Sequence, residues 1–192
     1  RLNNTPNHNA LHKKLALLEN GEAALVTSSG MSAISTSLLT FVGSGDHLLA
    51  QRTLYGGTHT FVTHDIGRWG VSYSLIDLNS PEEWEAALRP ETKAIYLESI
   101  SNPLMEVFDL YKVVEFAEGH NLVSMIDNTF ASPFNFRPLE IGFDLSLHSC
   151  TKYLNGHSDI VAGAIIGKVE HVEKVSHLLD HLGGSLDPHA CF

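Results

Sequence analysis

Short apolar runs alternate with segments of helical periodicity along the whole chain. The runs predicted as strands are residues 23–27, 47–51, 71–76, 94–98, 123–126, 143–147 and 160–166. Amphipathic or capped segments separate most of them. Buried strands joined by crossover helices are typical of an α/β fold. The sequence therefore predicts one domain, with a mostly parallel, seven-stranded sheet flanked by helices.

Composition and charge narrow the class of protein. The chain has 12 basic and 22 acidic residues and a formal net charge of −10, which argues against nucleic acid or an anionic membrane as a partner. We expect neither a membrane span nor a signal peptide, because no apolar run is long enough and no secretory pattern opens the chain. The two cysteines cannot form a disulfide framework and indicate a reducing, cytoplasmic compartment.

Small hydroxyl residues after the first predicted strand mark a candidate anion site. Ser28-Ser29-Gly30-Met31 opens a helix that extends to about residue 42. A helix N-terminus directs free backbone N–H groups and the positive end of the helix dipole to one point, where an anion can bind. A capping sequence without a ligand has the same pattern, so both interpretations stay open.

Lys152 lies just past the strand predicted at residues 143–147, in a run (residues 148–159) rich in small hydroxyl residues and glycine. Ser149 and Thr151 flank it, and their hydroxyl groups can face one anion. An amine placed in this way can form a Schiff base with a carbonyl compound. The alternative is a loop lysine beside a turn.

Other chemically distinctive residues also follow strands. Tyr55 precedes two glycines, Asn102 comes shortly after the fourth strand, and Asp127 directly follows the fifth. The structural alternatives are a packed aromatic for Tyr55 and an Asx turn for Asp127. In an open parallel sheet such positions share one edge, so they could line one pocket with Gly30 and Lys152. An anion site, an aromatic ring, a carboxylate and a lysine are what pyridoxal phosphate requires.

Two other classes of protein fit parts of this pattern. A nucleotide-binding α/β domain could use residues 28–33 as its phosphate loop, but the chain has neither G-x-G-x-x-G nor a Walker lysine. A non-catalytic interaction module could keep the fold without the activity, although the intact Lys152 and Asp127 argue against decay. No metal site is expected, since His177 and His181 are four residues apart without the Glu of a zinc motif.

Several stretches together resemble the Cys/Met-metabolism family of pyridoxal-phosphate enzymes, which act in trans-sulfuration. They occur in the family's order and span nearly the whole chain: residues 28–33, 54–58, 98–99 with 101–103, 126–130, 137–140 and 148–159. The family includes cystathionine γ-synthases, cystathionine γ-lyases, methionine γ-lyases and O-acylhomoserine sulfhydrylases. The resemblance implies the large domain of the fold type I enzymes, which are similar to aspartate aminotransferase.

The resemblance also assigns a role to each matching position. Lys152 would form a Schiff base with the cofactor's aldehyde and later move the substrate's α-proton, and Asp127 would keep the ring nitrogen protonated. Tyr55 would stack on the ring and act as acid or base near the substrate's γ-substituent. The other contacts would be Gly30 and Met31 (backbone N–H to the phosphate), Ser149 and Thr151 (hydroxyls to the phosphate), Asn102 (near the ring hydroxyl and the substrate carboxylate) and Thr129 (beside the ring).

The start of the chain resembles a segment that family members extend into a neighbouring subunit. In the family a Tyr-x-Arg sequence precedes Asn-Pro-Thr, and the arginine contacts the neighbour's cofactor phosphate. Arg1 corresponds to that arginine, while Asn4-Thr5-Pro6 departs from the family's order. The resemblance thus implies a homo-oligomer, a dimer of dimers with sites shared between subunits.

The resemblance implies that residues 1–192 form the cofactor-binding large domain, with part of the N-terminal arm and the whole C-terminal small domain outside the chain. In the family, that small domain supplies the arginine for the substrate carboxylate. The chain alone would therefore bind cofactor weakly and turn over poorly.

The reaction implied is γ-elimination or γ-replacement on a small amino acid, either a sulfur amino acid or an activated homoserine. Methionine γ-lyases usually carry Cys where this chain has Gly57, and the Gly-His-Ser-Asp of residues 156–159 resembles the cystathionine enzymes. These positions favour a cystathionine γ-lyase or γ-synthase type. Methionine γ-lyase and O-acylhomoserine sulfhydrylase are the alternatives.

Overall fold

A computed structural model describes residues 3–192, and its strands form a single seven-stranded sheet. The strands are β1 (Ala23–Thr27), β2 (His47–Gln51), β3 (Ser72–Ile76), β4 (Thr92–Glu98), β5 (Val123–Asp127), β6 (Leu145–Ser149) and β7 (Gly163–Gly167). Their order across the sheet is β1-β7-β6-β5-β4-β2-β3. Every predicted strand is present, and the predicted α/β fold is confirmed.

The sheet is mostly parallel, as predicted, but one strand is reversed. Neighbouring strands from β3 to β6 pair in parallel, whereas β7 runs antiparallel to both β1 and β6. Residues 150–162 join β6 to β7 without a helix, so the chain turns back beside β6 instead of crossing over. We call residues 150–162 the return loop, and it contains Lys152.

Helices cover both faces of the sheet. They are α1 (Pro6–Glu19), α2 (Gly30–Phe41), α3 (Gly56–Thr60), α4 (Pro81–Ala87), α5 (Leu110–Gly119), α6 (Ser132–Asn135) and α7 (Val169–Leu182), with a π-helical turn (Phe61–Asp65) and 3₁₀ turns (Ile66–Trp69, Pro138–Ile141). α2 and α7 pack on one face, and α1, α4 and α5 pack on the other. None of the described helices is both long and apolar enough to cross a membrane.

The two covered faces explain why the central strands are apolar almost throughout. In β4, Tyr96 belongs to the core under α2, while Ile95 and Leu97 belong to the core under α4 and α5. Met125 and Ile126 of β5 divide in the same way. Successive side chains of a strand point to opposite faces, so a sheet covered on both sides favours apolar residues on both faces of each strand.

Gly163, at the start of β7, lies very close to Thr27, the last residue of β1, and to Ser29 just after it. A Cβ there would lie 2.2 Å from the Ser29 carbonyl oxygen and 2.5 Å from Thr27 Oγ1. We therefore expect Gly163→Ala to lower the free energy of unfolding by about 1–3 kcal/mol in urea denaturation. Gly67→Ala is the control, because a Cβ there meets nothing within 4 Å. Equal stability of the two variants would contradict the packing described.

Candidate functional site

A cavity of about 540 Å³ opens at the carboxyl edge of the sheet, beside α2. It brings together nine of the predicted site residues: Gly30, Met31, Tyr55, Asn102, Asp127, Thr129, Ser149, Thr151 and Lys152. The remaining one, Arg1, lies outside the described residues. The prediction that positions after strands share one pocket is therefore confirmed for the residues that the structure describes.

The first turn of α2 borders the cavity. Ser29 is the N-cap of this helix, and its hydroxyl accepts a hydrogen bond from the Ser32 N–H (3.0 Å). The N–H groups of Gly30 and Met31, in the first turn, have no acceptor within the helix, so they can serve a ligand. A Cβ on Gly30 would lie 2.7 Å from the Cβ of Ser149. The glycine therefore lets the helix N-terminus and Ser149 meet closely and form an anion cradle.

The return loop fixes the backbone around Lys152. The Thr151 N–H donates to the Ala162 carbonyl (3.2 Å), and the Ala162 N–H donates to Thr151 Oγ1 (3.1 Å), which closes the base of the loop. The Lys152 N–H donates to the Ser149 carbonyl (3.1 Å), and the Gly156 N–H donates to the Lys152 carbonyl (2.9 Å). Gly156 has a φ of +77°, which glycine adopts without strain. Lys152 therefore lines the cavity from a fixed turn.

Asp127 ends β5 and contributes its carboxyl group to the cavity. The Thr129 N–H donates to Asp127 Oδ1 (2.9 Å), and Thr129 Oγ1 accepts a hydrogen bond from the Ser149 N–H (2.8 Å). Burial raises the pKa of Asp127, while the hydrogen bonds from Thr129 and the nearby His148 act to lower it. A positive charge in the cavity would stabilise the ionised form further, so the site favours a cationic partner for Asp127.

Glu98 is a cavity residue that the sequence analysis did not single out. It ends β4, pairs in register with Asp127 and is 4% exposed. Burial raises its pKa to about 8; the hydrogen bond from the Tyr55 N–H opposes this rise, and the charge of Asp127 adds to it. The signal that points to Asp127, an acidic residue at the end of a buried strand, would also have found Glu98.

A buried polar cluster supports the strand ends that carry the site. The Glu19 carboxylate, at the end of α1, accepts hydrogen bonds from Asn128 Nδ2 (3.1 Å) and Ser146 Oγ (3.0 Å) and pairs closely with His148 Nε2. All four residues are at most 2% exposed. Asn128 directly follows Asp127, so this cluster anchors the backbone beside the cavity carboxylate.

The fold and the cavity together define a class of protein. A mostly parallel seven-stranded sheet whose carboxyl edge gathers a lysine, an aspartate and a helix N-terminus is the architecture of the large domain of fold type I pyridoxal-phosphate enzymes. The whole chain, residues 1–192, matches the family described as Cys/Met metabolism PLP-dependent enzyme. The chain belongs to this family, and the resemblance seen in its sequence is confirmed.

Individual relatives agree with this assignment. The L-methionine gamma-lyase of Porphyromonas gingivalis (strain ATCC BAA-308 / W83) is 46% identical over 191 residues, which cover 98% of this chain and 48% of that protein. The cystathionine gamma-lyase of Bacillus subtilis (strain 168) is 40% identical, over 95% of this chain and 48% of that protein. The crystal structure of cystathionine gamma-lyase from Lactobacillus plantarum complexed with L-serine has a TM-score of 0.94 at 36% identity, over 98% of this chain and 50% of that chain. The chain thus spans about half the length of these relatives.

The buried cluster around Glu19 yields a stability prediction. Glu19→Ala would leave three buried donors without their shared acceptor, and we expect the free energy of unfolding to fall by about 3–5 kcal/mol. Glu22→Ala is the control: this exposed carboxylate accepts a hydrogen bond from the Val169 N–H (3.0 Å), and its loss should cost about 1 kcal/mol or less. Urea denaturation followed by circular dichroism measures both. Similar losses would show that the cluster contributes no special stability.

Proposed function

We propose that the chain is the cofactor-binding large domain of a pyridoxal-phosphate enzyme that acts on small sulfur amino acids or activated homoserine by γ-elimination or γ-replacement. One observation carries the proposal: Lys152, Asp127 and the first turn of α2 meet at one cavity. An amine, a carboxylate and an anion cradle are required together by a phosphorylated pyridine aldehyde. When bound, the cofactor supplies an electron sink for negative charge that develops at the substrate's α-carbon.

The anion cradle fits the cofactor's phosphate. Backbone N–H groups of Gly30 and Met31 would donate to its oxygens, and the Ser149 hydroxyl would add a further donor. The Thr151 hydroxyl donates to the Ala162 carbonyl (3.2 Å) in this structure, so it would add its hydrogen bond to the phosphate by turning away from that carbonyl. The close contact between Gly30 and Ser149 leaves no room for a side chain on the helix, so the phosphate could approach the backbone directly. The chain as a whole is acidic, with a net charge of −10. An anion would therefore be held by the donors of the cradle and not by a general positive charge.

The rest of the cavity fits the ring. Asp127 would pair with the protonated ring nitrogen, and that positive charge would offset the rise in pKa that burial causes. Tyr55 is 49% exposed and would offer its aromatic face to the ring. A Cβ on Gly57 would lie 2.6 Å from Tyr55 Cε1, so the glycine leaves space for the tyrosine side chain. Asn102 would lie beside the ring hydroxyl, and Thr129 beside the ring.

Lys152 is the proposed nucleophile and proton carrier. Its amine would hold the cofactor's aldehyde and, in its free form, would accept and return the substrate's α-proton. Tyr55 would serve as acid or base for the group at the γ-carbon. The hydrogen bonds that fix the return loop set the point from which the Lys152 side chain extends into the cavity.

The choice of reaction has two candidates. Gly57 and residues 156–159 favour a cystathionine γ-lyase or γ-synthase type, and the structural similarity to the cystathionine gamma-lyase of Lactobacillus plantarum supports it. A methionine γ-lyase is the second candidate, favoured by the 46% identity to the Porphyromonas gingivalis protein of that name. A γ-replacement transferase, including the O-acylhomoserine sulfhydrylase type, uses the same residues.

Assembly and compartment complete the proposal. Arg1 would contact the cofactor phosphate of a neighbouring subunit, so two copies would complete each other's sites, and such dimers would pair into a homotetramer. Both cysteines, Cys150 and Cys191, are free and buried, which supports a reducing compartment and a cytoplasmic enzyme.

The role of Lys152 can be tested by trapping. Pyridoxal phosphate added to the chain should give a visible absorbance band, and borohydride should then fix the cofactor covalently to Lys152, as located by peptide mass spectrometry. Lys152→Ala should show neither the band nor the adduct, because it lacks the amine. Lys174→Ala, which removes an exposed lysine of α7, should behave as the wild-type chain does. An unlabelled wild-type chain would overturn the proposal and favour a non-catalytic interaction module.

The role of the cradle can be tested separately. Gly30→Ala would push Ser149 away from the helix N-terminus, and we expect it to weaken the affinity for pyridoxal phosphate by about tenfold or more, the loss of one or two hydrogen bonds to a charged group. Its affinity for pyridoxal, which has no phosphate, should change little. Gly67→Ala is the control. Equal weakening for both compounds would place the effect outside the phosphate cradle.

A further inference from the structure

Glu98 joins two separate segments that line the cavity. Its Oε1 accepts a hydrogen bond from the Tyr55 N–H (2.7 Å), and its Oε2 accepts one from the Asn102 N–H (3.1 Å). The Glu98 N–H donates in turn to the side-chain oxygen of Gln51 (2.8 Å), the last residue of β2. One residue therefore ties the segment after β2, the segment after β4 and the ends of both strands together.

The groups around Glu98 define its electrostatic setting. Asp127 of β5 pairs with it in register, and Tyr96 lies two residues earlier on β4, towards the same face. From the α2–α3 side the nearby titratable group is Tyr55, and from the return loop it is Lys152, which lines the same cavity. Glu98 therefore has a second carboxyl group as its neighbour along the sheet edge.

The hydrogen bonds of the Glu98 carboxyl group indicate that this residue acts indirectly and not as a catalytic group. Each carboxyl oxygen of Glu98 already accepts a backbone N–H from the chain itself, so the side chain is committed to Tyr55 and Asn102. Those two residues are the ones proposed to face the cofactor ring and its hydroxyl. Glu98 thus acts on a bound ligand through them.

We propose that Glu98 is a positioning residue that sets the backbone of Tyr55 and Asn102 against the cavity, with its carboxyl group in register beside that of Asp127. The part that concerns the cofactor rests on the proposed function, whereas the bracing of the two segments does not.

The sign of the pH effect follows from the raised pKa of Glu98, about 8 against an ordinary value of 4.5. Between these values the folded chain keeps the Glu98 proton that the unfolded chain has released, so stability falls as pH rises through the window. Above the folded pKa of about 8 the full loss of stability is present, and below the ordinary pKa of 4.5 no stability is lost. A purely structural hydrogen-bonding role would give no such slope.

The bracing is tested without any cofactor. Amide hydrogen exchange of the wild-type chain should show Tyr55 and Asn102 protected, and Glu98→Gln, which keeps only one acceptor oxygen, should speed exchange at one or both by about tenfold. Between about pH 5 and pH 8.5 the folding equilibrium constant of the wild-type chain should fall about tenfold or more relative to that of Glu98→Gln. Unchanged exchange and equal pH slopes would overturn the proposal.

Two further variants keep this test decisive. Glu98→Asp retains a titrating carboxyl but is one methylene shorter, so it should keep a pH slope while losing protection at one of the two amides. It stands in for Glu98→Gln if that variant does not fold. Glu173→Gln, an exposed site on α7, should change neither quantity. A Glu98→Asp chain with full protection and no slope would contradict both halves of the proposal.

The link to the cofactor is tested last. Glu98→Gln should bind pyridoxal phosphate about tenfold more weakly than the wild-type chain, yet still form the borohydride-trapped adduct on Lys152 at saturation. If Glu98→Gln and the wild-type chain bind pyridoxal phosphate with equal affinity, Glu98 does not position residues for the cofactor. If the wild-type chain itself forms no adduct, the proposed function fails, while the exchange and pH data still decide whether Glu98 braces the two segments.

Discussion

The site depends on one buried carboxylate that lies on the other side of the sheet from the cavity. Glu19 gathers donors from Asn128, Ser146 and His148, and these donors come from β6 and from the residue after β5. Ser146 and His148 alternate with Leu147, whose side chain belongs to the core under α2, so they point to the α1 face. Removing this acceptor would take one hydrogen bond from each of three buried side chains at once, which costs more than any single hydrogen bond contributes.

The two faces of the sheet therefore differ: the α2 face carries the polar residues of the cavity, and the α1 face carries the cluster that holds the strand ends in place. On the α2 face, the last residues of the strands are the polar groups Glu98, Asp127 and Ser149, and they lie above an apolar core. On the opposite face, α1 closes the sheet and locks the ends of β5 and β6 through Glu19. A strand end held from behind can present a carboxylate or a hydroxyl at a fixed place, which preorganisation of a site requires.

Local pattern predicted much of this structure, and the failures have a common cause. Apolar runs bounded by turn residues located all seven strands, and the rule that strand ends share an edge located Lys152, Asp127 and Gly30 in one cavity. The reversal of β7 and the partners of Glu19 were not predictable, because they depend on contacts between residues more than a hundred positions apart or on a loop without periodicity. Glu98 fits the same explanation: its place at the end of a buried strand is visible in the sequence, but only the folded chain decides which backbone N–H groups its oxygens reach.

The neighbouring carboxyl groups of Glu98 and Asp127 constrain what the cavity can hold. Glu98 is buried and Asp127 is half-buried, and two such acids in register cannot both ionise without a large cost in free energy. Desolvation raises the pKa of each. Glu98 has its two backbone donors, whereas among residues 3–192 Asp127 receives its hydrogen bonds from Thr129 and lines the cavity. A ligand with a positive charge at one end and an anionic group at the other would relieve this arrangement, since the cradle at Gly30 favours negative charge. Opposite preferences at the two ends of one cavity would orient such a ligand relative to Lys152, which lines the same cavity.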